Sequence, residues 1–123
     1  MPLSRIKLPD ALARRHLLEG KLDSAKALAL ARAYLEAGRE VEAVDFIAAA
    51  AADGDSSGDA NKALVELSET ALVRGDAFLM RIVVRALGIE PSAETWQALA
   101  DAATQAGRLR DAESAQRLAT VGK

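Results

Sequence analysis

Apolar residues recur along this chain at helical spacing, and the pattern is densest between Asp76 and Leu87. There the sequence reads DAFLMRIVVRAL. Phe78, Leu79, Met80, Ile82, Val83, Val84 and Leu87 are large and apolar, and after the leading Asp76 only Arg81 and Arg85 carry charge. The two arginines stand four apart and share one narrow stripe. A helix apolar on nearly every side needs neighbours on nearly every side. This segment is therefore expected in the middle of the fold, with Phe78 and Val84 shut away from water. It is too short and too charged to span a bilayer.

The flanking chain supplies amphipathic helices. Residues 1–8 read as irregular. Pro9-Asp10 opens a short helix to about Leu18, ended by Gly20, with Leu8, Leu12 and Leu17 or Leu18 on one face. Asp23 or Ser24 caps a second helix that stops at Gly38. A third runs from Glu40 to about Ala52, with Val44, Ile47 and Ala48 at helical spacing. After the polar loop DGDSSGD, a fourth runs from Asp59 or Ala60 to Arg74 and stops at Gly75. Asp76 caps the apolar fifth helix, which Gly88 ends. Ser92 caps the sixth, which ends at Gly107, and the seventh spans Leu109 to about Ala119, with 121–123 fraying. With no strand pattern, the fold class is all-α.

Composition narrows the classes. Half of the 123 residues are hydrophobic, yet only four are aromatic, and alanine supplies much of the remainder. Alanine favours helix and lets helices approach closely. There is no cysteine, so disulfides, thiol catalysis and thiolate metal sites are excluded. The start, MPLSRIKLPD, lacks an apolar signal core, so a cytoplasmic protein is expected, with no membrane partner. A net charge of −2 argues against nucleic acid. Residues 1–39 carry eight Lys/Arg against four Asp/Glu, net +4; residues 40–123 carry eight against fourteen, net −6. The basic end is a candidate to meet an acidic surface, on a partner or a second copy.

Gly38, Gly75 and Gly107 each separate two helices, at intervals of 37 and 32 residues. Periods in this range signal stacked helical hairpins that cannot bury their apolar faces singly. The residues in register resemble the tetratricopeptide repeat family. A first repeat from near Ser24 has Leu30, Ala31, Tyr34, Gly38, Ala43, Ile47 and Ala50 at signature places. A third, from near Ala93, has Trp96, Leu99, Ala100, Gly107 and Ala112. The second, Asn61 to Pro91, keeps Leu67 and Gly75 but has Ala71 where an aromatic is common and Met80 where alanine is. A second register pairs Pro9–Ala37 as the first hairpin, because Gly20 to Ala25 also reads as a turn entering a helix. At 123 residues one domain is expected, and the resemblance divides it into a short N-terminal segment (1–21), then hairpins at about 22–52, 59–88 and 92–120. Together these would form a seven-helix α-solenoid with a right-handed superhelix.

The resemblance also implies a groove lined by the first helix of each hairpin. Its partner-binding positions are Leu28, Arg32 and Leu35; Lys62, Val65, Glu69 and Leu72; and Glu94, Gln97, Asp101 and Thr104. The family's clamp for a peptide carboxylate is broken here, since the matching places include Leu28, Arg32, Glu66, Glu94 and Ala98. What remains is half apolar and suits an amphipathic helix. The N-terminal helix, a homodimer contact and an external polypeptide all stay open as occupants.

Candidate chemistry is thin. Asp53, Asp55, Ser57, Gly58 and Asn61 match the early positions of a calcium loop, but Leu64 stands where the bidentate acid belongs. His16, the sole histidine, could pair with Glu19, but reads as an exposed helix position. Trp96 reads as a packing residue. No nucleophile, metal or phosphate-loop motif occurs, so no enzyme activity and no cofactor are expected. The sequence points to a protein–protein interaction module or scaffold, binding a helical or extended peptide. The alternative is an accessory subunit of a larger bacterial-type assembly, docking through its basic N-terminal third.

Overall fold

A computed structural model describes residues 8–20, 22–53 and 58–121. Within them the chain is helical, with no strand. The helices are α1 (Ala11–Glu19), α2 (Ser24–Glu36), α3 (Glu40–Ala52), α4 (Asp59–Arg74), α5 (Ala77–Leu87), α6 (Ala93–Gln105) and α7 (Leu109–Val121). Local chemistry sets most of these limits. Asp10, Asp23, Asp76 and Ser92 each accept a hydrogen bond from the backbone N–H three residues on, at 2.8, 2.8, 3.0 and 3.1 Å. That bond satisfies one of the donors a helix start leaves open.

Four helix ends share one glycine turn. Gly38, Gly75, Gly88 and Gly107 adopt φ of 75, 71, 70 and 75°. In each, the N–H after the glycine returns to a carbonyl five residues back: Arg39 to Tyr34, Asp76 to Ala71, Ile89 to Val84 and Arg108 to Ala103. Gly20 ends α1 differently, in an extended conformation with its N–H on the His16 carbonyl.

The chain divides into two compact units, Met1–Ala63 and Leu64–Lys123. In the first, α2 and α3 form a hairpin whose buried residues include Leu30, Ala31, Tyr34, Val44, Phe46 and Ile47. The Tyr34 and Phe46 rings stack at 5.4 Å, and the Arg39 guanidinium sits 5.0 Å above Tyr34. The Tyr34 hydroxyl donates to the Pro9 carbonyl at 3.1 Å, tying the entry of α1 to the hairpin. Asp53, just past α3, accepts the Ser24 N–H at 3.0 Å and fastens the hairpin's open end. Helix α1 packs on α3 but buries no residue fully. Leu12 is 66% exposed, so the expected Leu8–Leu12 face is not closed over, and Leu17 and Leu18 are only half-buried.

In the second unit α6 and α7 form the matching hairpin, and α5 packs on α7. Leu79, Met80, Val83, Val84, Trp96, Leu99 and Ala103 are buried there. The turn at Gly75 lies hard against α6: a Cβ on Gly75 would stand 2.3 Å from the Ala103 nitrogen. Arg108 bridges Asp76 at 3.4 Å and Asp111 at 3.0 Å, and Asp111 accepts the Ala77 N–H at 3.2 Å. The first turn of α7 thereby holds the start of α5.

The two units follow one plan. In each, an Asp-capped helix (α1 after Asp10, α5 after Asp76) packs on the second helix of the hairpin, and each hairpin turns on Ala-Gly-Arg (37–39, 106–108). Each turn arginine pairs with an acid three residues on, Arg39 with Glu42 and Arg108 with Asp111.

One expectation fails. Helix α5 is not sealed on all sides: Phe78 is 62% exposed, Ile82 is half-buried, and Arg81 and Arg85 face water. Ala77, Leu79, Met80, Val83 and Val84 form the buried face. The cause is the arginine stripe. Two guanidiniums must reach solvent, and Phe78 and Ile82 share the flank that they hold outward.

Candidate functional site

The outward flank of α5 is built by its own spacing. Phe78, Arg81, Ile82 and Arg85 fall one turn apart and line a shallow hollow of about 170 Å³. Beside it lies a larger open hollow of about 470 Å³, lined by Arg81, Val84, Arg85, Ile89, Glu90, Pro91, Trp96, Leu118 and Val121. Buried Val84 and Trp96 form its floor, half-buried Leu118 its wall, and exposed Ile89 and Val121 its lip. Arg81 and Arg85 belong to both hollows, so one apolar band is crossed by two cations. The Gly88 turn matters here: it stops α5 and sends Ile89 out over the hollow.

Among the described residues neither Arg81 nor Arg85 forms an ion pair. The corresponding stripe of α1 is neutralised within itself, because Arg15 donates to Glu19 at 2.9 Å. Counted from the caps Asp10 and Asp76, Arg15 matches Arg81 and Glu19 matches Arg85. Like charges four apart cost a helix roughly 0.2–0.5 kcal/mol, and no ion pair offsets that in α5 among the described residues. The bond from Arg15 also takes the acid that might have paired with His16, which stands exposed.

Helix α4 carries the opposite pattern. Val65, Glu66, Glu69 and Val73 are exposed, Val73 by 80%, and Leu72 is half-buried. Neither glutamate side chain is engaged among the described residues.

No family model, curated protein or solved structure matches this chain.

The positions assigned to a groove fall as follows. On α2, Arg32 is exposed and Leu28 and Leu35 are half-buried. On α4, Lys62, Val65 and Glu69 are exposed. On α6, Glu94, Asp101 and Thr104 are exposed and Gln97 is half-buried. Two of these come together, the Gln97 amide donating to Asp101 at 3.1 Å. Glu94 and Gln97 also line a hollow of about 220 Å³ with Gln116, Ala119 and Thr120 of α7. The α5 flank escaped the sequence reading, although the Arg81–Arg85 stripe was visible in it.

Chemistry elsewhere is sparse. The calcium-like loop lies partly outside the described residues, at 54–57, while Asp53 is engaged by the Ser24 N–H. Among the described residues no three of His, Asp and Glu gather as a metal would require, and no helix is long and apolar enough to cross a membrane. Trp96 is buried, as a packing residue would be. Asp45 on α3 is held above the ordinary carboxylate value, mainly by burial; Arg14 opposes this and Glu42 adds to it.

Proposed function

We propose that this protein is a polypeptide-binding module. One observation carries the reading: an outward apolar flank, exposed Phe78 and half-buried Ile82, runs into a hollow floored by Trp96 and is crossed by two arginines without ionic partners. A water-facing phenylalanine beside such a hollow suits docking. The ligand that fits is an amphipathic helix with leucine-class anchors and carboxylates one turn apart. Its anchors fill the hollow, and its acids meet the guanidiniums in charge-assisted hydrogen bonds. The repeated glycine turn is in keeping with stacked tetratricopeptide-like hairpins, and we read the seven helices as a short α-solenoid of that kind. No reaction is assigned to it.

Trp96 is the only tryptophan, so its emission reports on the hollow. An acidic amphipathic helical peptide titrated into the protein is expected to shift that emission saturably. Arg81→Ala with Arg85→Ala is expected to weaken binding about tenfold or more and to remove most of its salt dependence. An emission unchanged up to millimolar peptide overturns the reading.

A further inference from the structure

We infer that the helix seated on α5 is α4 of a second copy of this chain. The inference rests on α5 being a docking face and names its occupant. Both halves of the contact are present in the structure. Helix α5 offers Phe78, Arg81, Ile82 and Arg85; α4 offers Val65, Glu66, Glu69 and Val73. On each, two like charges about one turn apart lie beside apolar residues that are exposed, apart from half-buried Ile82, and neither pair is neutralised among the described residues. Helix–helix contact sets two carboxylates against two guanidiniums, while Val65 and Val73 cover Phe78 and Ile82. In α1, where the matching arginine already has Glu19, no such demand exists. The residues concerned belong to one unit, Leu64–Lys123. A two-fold pair therefore repeats the contact, α4 on α5 and α5 on α4, as closed dimers do. An external acidic helix would meet the same cations. The second copy is favoured because it also answers the unpaired glutamates and exposed valines of α4.

Light scattering on the full chain at tens of micromolar protein and low salt is expected to give twice 12.9 kDa. Raising NaCl from ~50 to ~500 mM is expected to weaken the dimer about tenfold. Arg81→Glu with Arg85→Glu makes both faces acidic, and Glu66→Arg with Glu69→Arg makes both basic. Each double variant alone is expected to run as monomer, with association weakened ~100-fold or more, and to keep its helical circular dichroism. Mixed in equal amounts, the two restore opposite charges at both contacts, and the doubled mass returns. A wild-type monomer at every concentration overturns the inference, as do a dimer indifferent to both variants or a mixture that stays monomeric. Uptake by anionic phospholipid vesicles in place of self-association also overturns it. A monomer whose Trp96 emission still answers the acidic peptide refutes the dimer but leaves the binding module standing. A monomer silent to both refutes the two together.

Discussion

Gly75 has less freedom to change than any other glycine of the turns. Its φ of +71° already disfavours a side chain, and an added Cβ would meet Ala103 nitrogen and Cα at 2.3 and 2.4 Å. Both obstacles are backbone or near it and cannot swing aside. Gly107 has a similar φ, +75°, but open space around it. Replacing Gly107 with alanine should therefore cost only the conformational penalty, about 1 kcal/mol. Gly75→Ala adds overpacking of about 1–3 kcal/mol or more to the same penalty. Urea denaturation of both variants separates the two effects, and equal losses would mean that the turn does not rest on α6. Asp45 gives a second test at this scale. Its folded pKa is raised above 3.8, mainly by burial, so the folded state holds its proton more tightly than the unfolded one. Such a group favours folding below its unfolded pKa and loses that contribution as pH rises through the folded value. Asp45→Asn is thus expected to raise the melting temperature slightly at pH 7 and to match wild type near pH 3. Melting curves at the two pH values check the sign.

At the scale of the element, starts and stops were legible in the sequence because they are made locally. Position alone marks Asp76 and Ser92 as caps and leaves Asp23 or Ser24 for α2; Asp76 and Ser92 each accept the expected N–H, and on α2 it is Asp23 that does so. The glycine ends were equally plain. The sidedness of α5 was not, since it depends on which flank other helices cover. Counting apolar residues placed Phe78 inside; the constraint lay in Arg81 and Arg85, whose spacing marks the flank that must stay wet. The bond that the Ala77 N–H donates to Asp111 was also out of reach, because it joins residues 34 apart. That bond and the Arg108 bridge to Asp76 make the start of α5 depend on α7. Asp111→Ala is expected to cost about 1–2 kcal/mol, a charged hydrogen bond plus part of an ion pair. Hydrogen exchange localises the loss: amides at 77–79 should exchange faster, while those near Asp10, the corresponding cap of α1, should not change. Uniform acceleration along the chain would contradict the assignment.

Across the whole molecule, one plan is packed in two ways. Aligned on their turns, Gly38 and Gly107, the hairpins place Tyr34 opposite Ala103 and Phe46 opposite Ala115. The first unit fills that space with two stacked rings and anchors one of them on the Pro9 carbonyl. The second fills it with small residues, so that the Gly75 turn can lie on Ala103. Four aromatic residues in the chain leave few ways to replace a lost ring. The units should therefore respond in opposite senses to side-chain volume. Phe46 has no exposed surface, and Phe46→Ala leaves a cavity beside Tyr34, with an expected loss of about 3–5 kcal/mol. Ala115 is equally buried, so there the damaging change is growth, and Ala115→Leu is expected to cost about 1–3 kcal/mol through overpacking. Urea midpoints for the two variants, with near-ultraviolet circular dichroism to follow the rings, test the asymmetry. A gain in stability from Ala115→Leu would show that the second hairpin holds unused space, and the close fit argued for it would then be wrong.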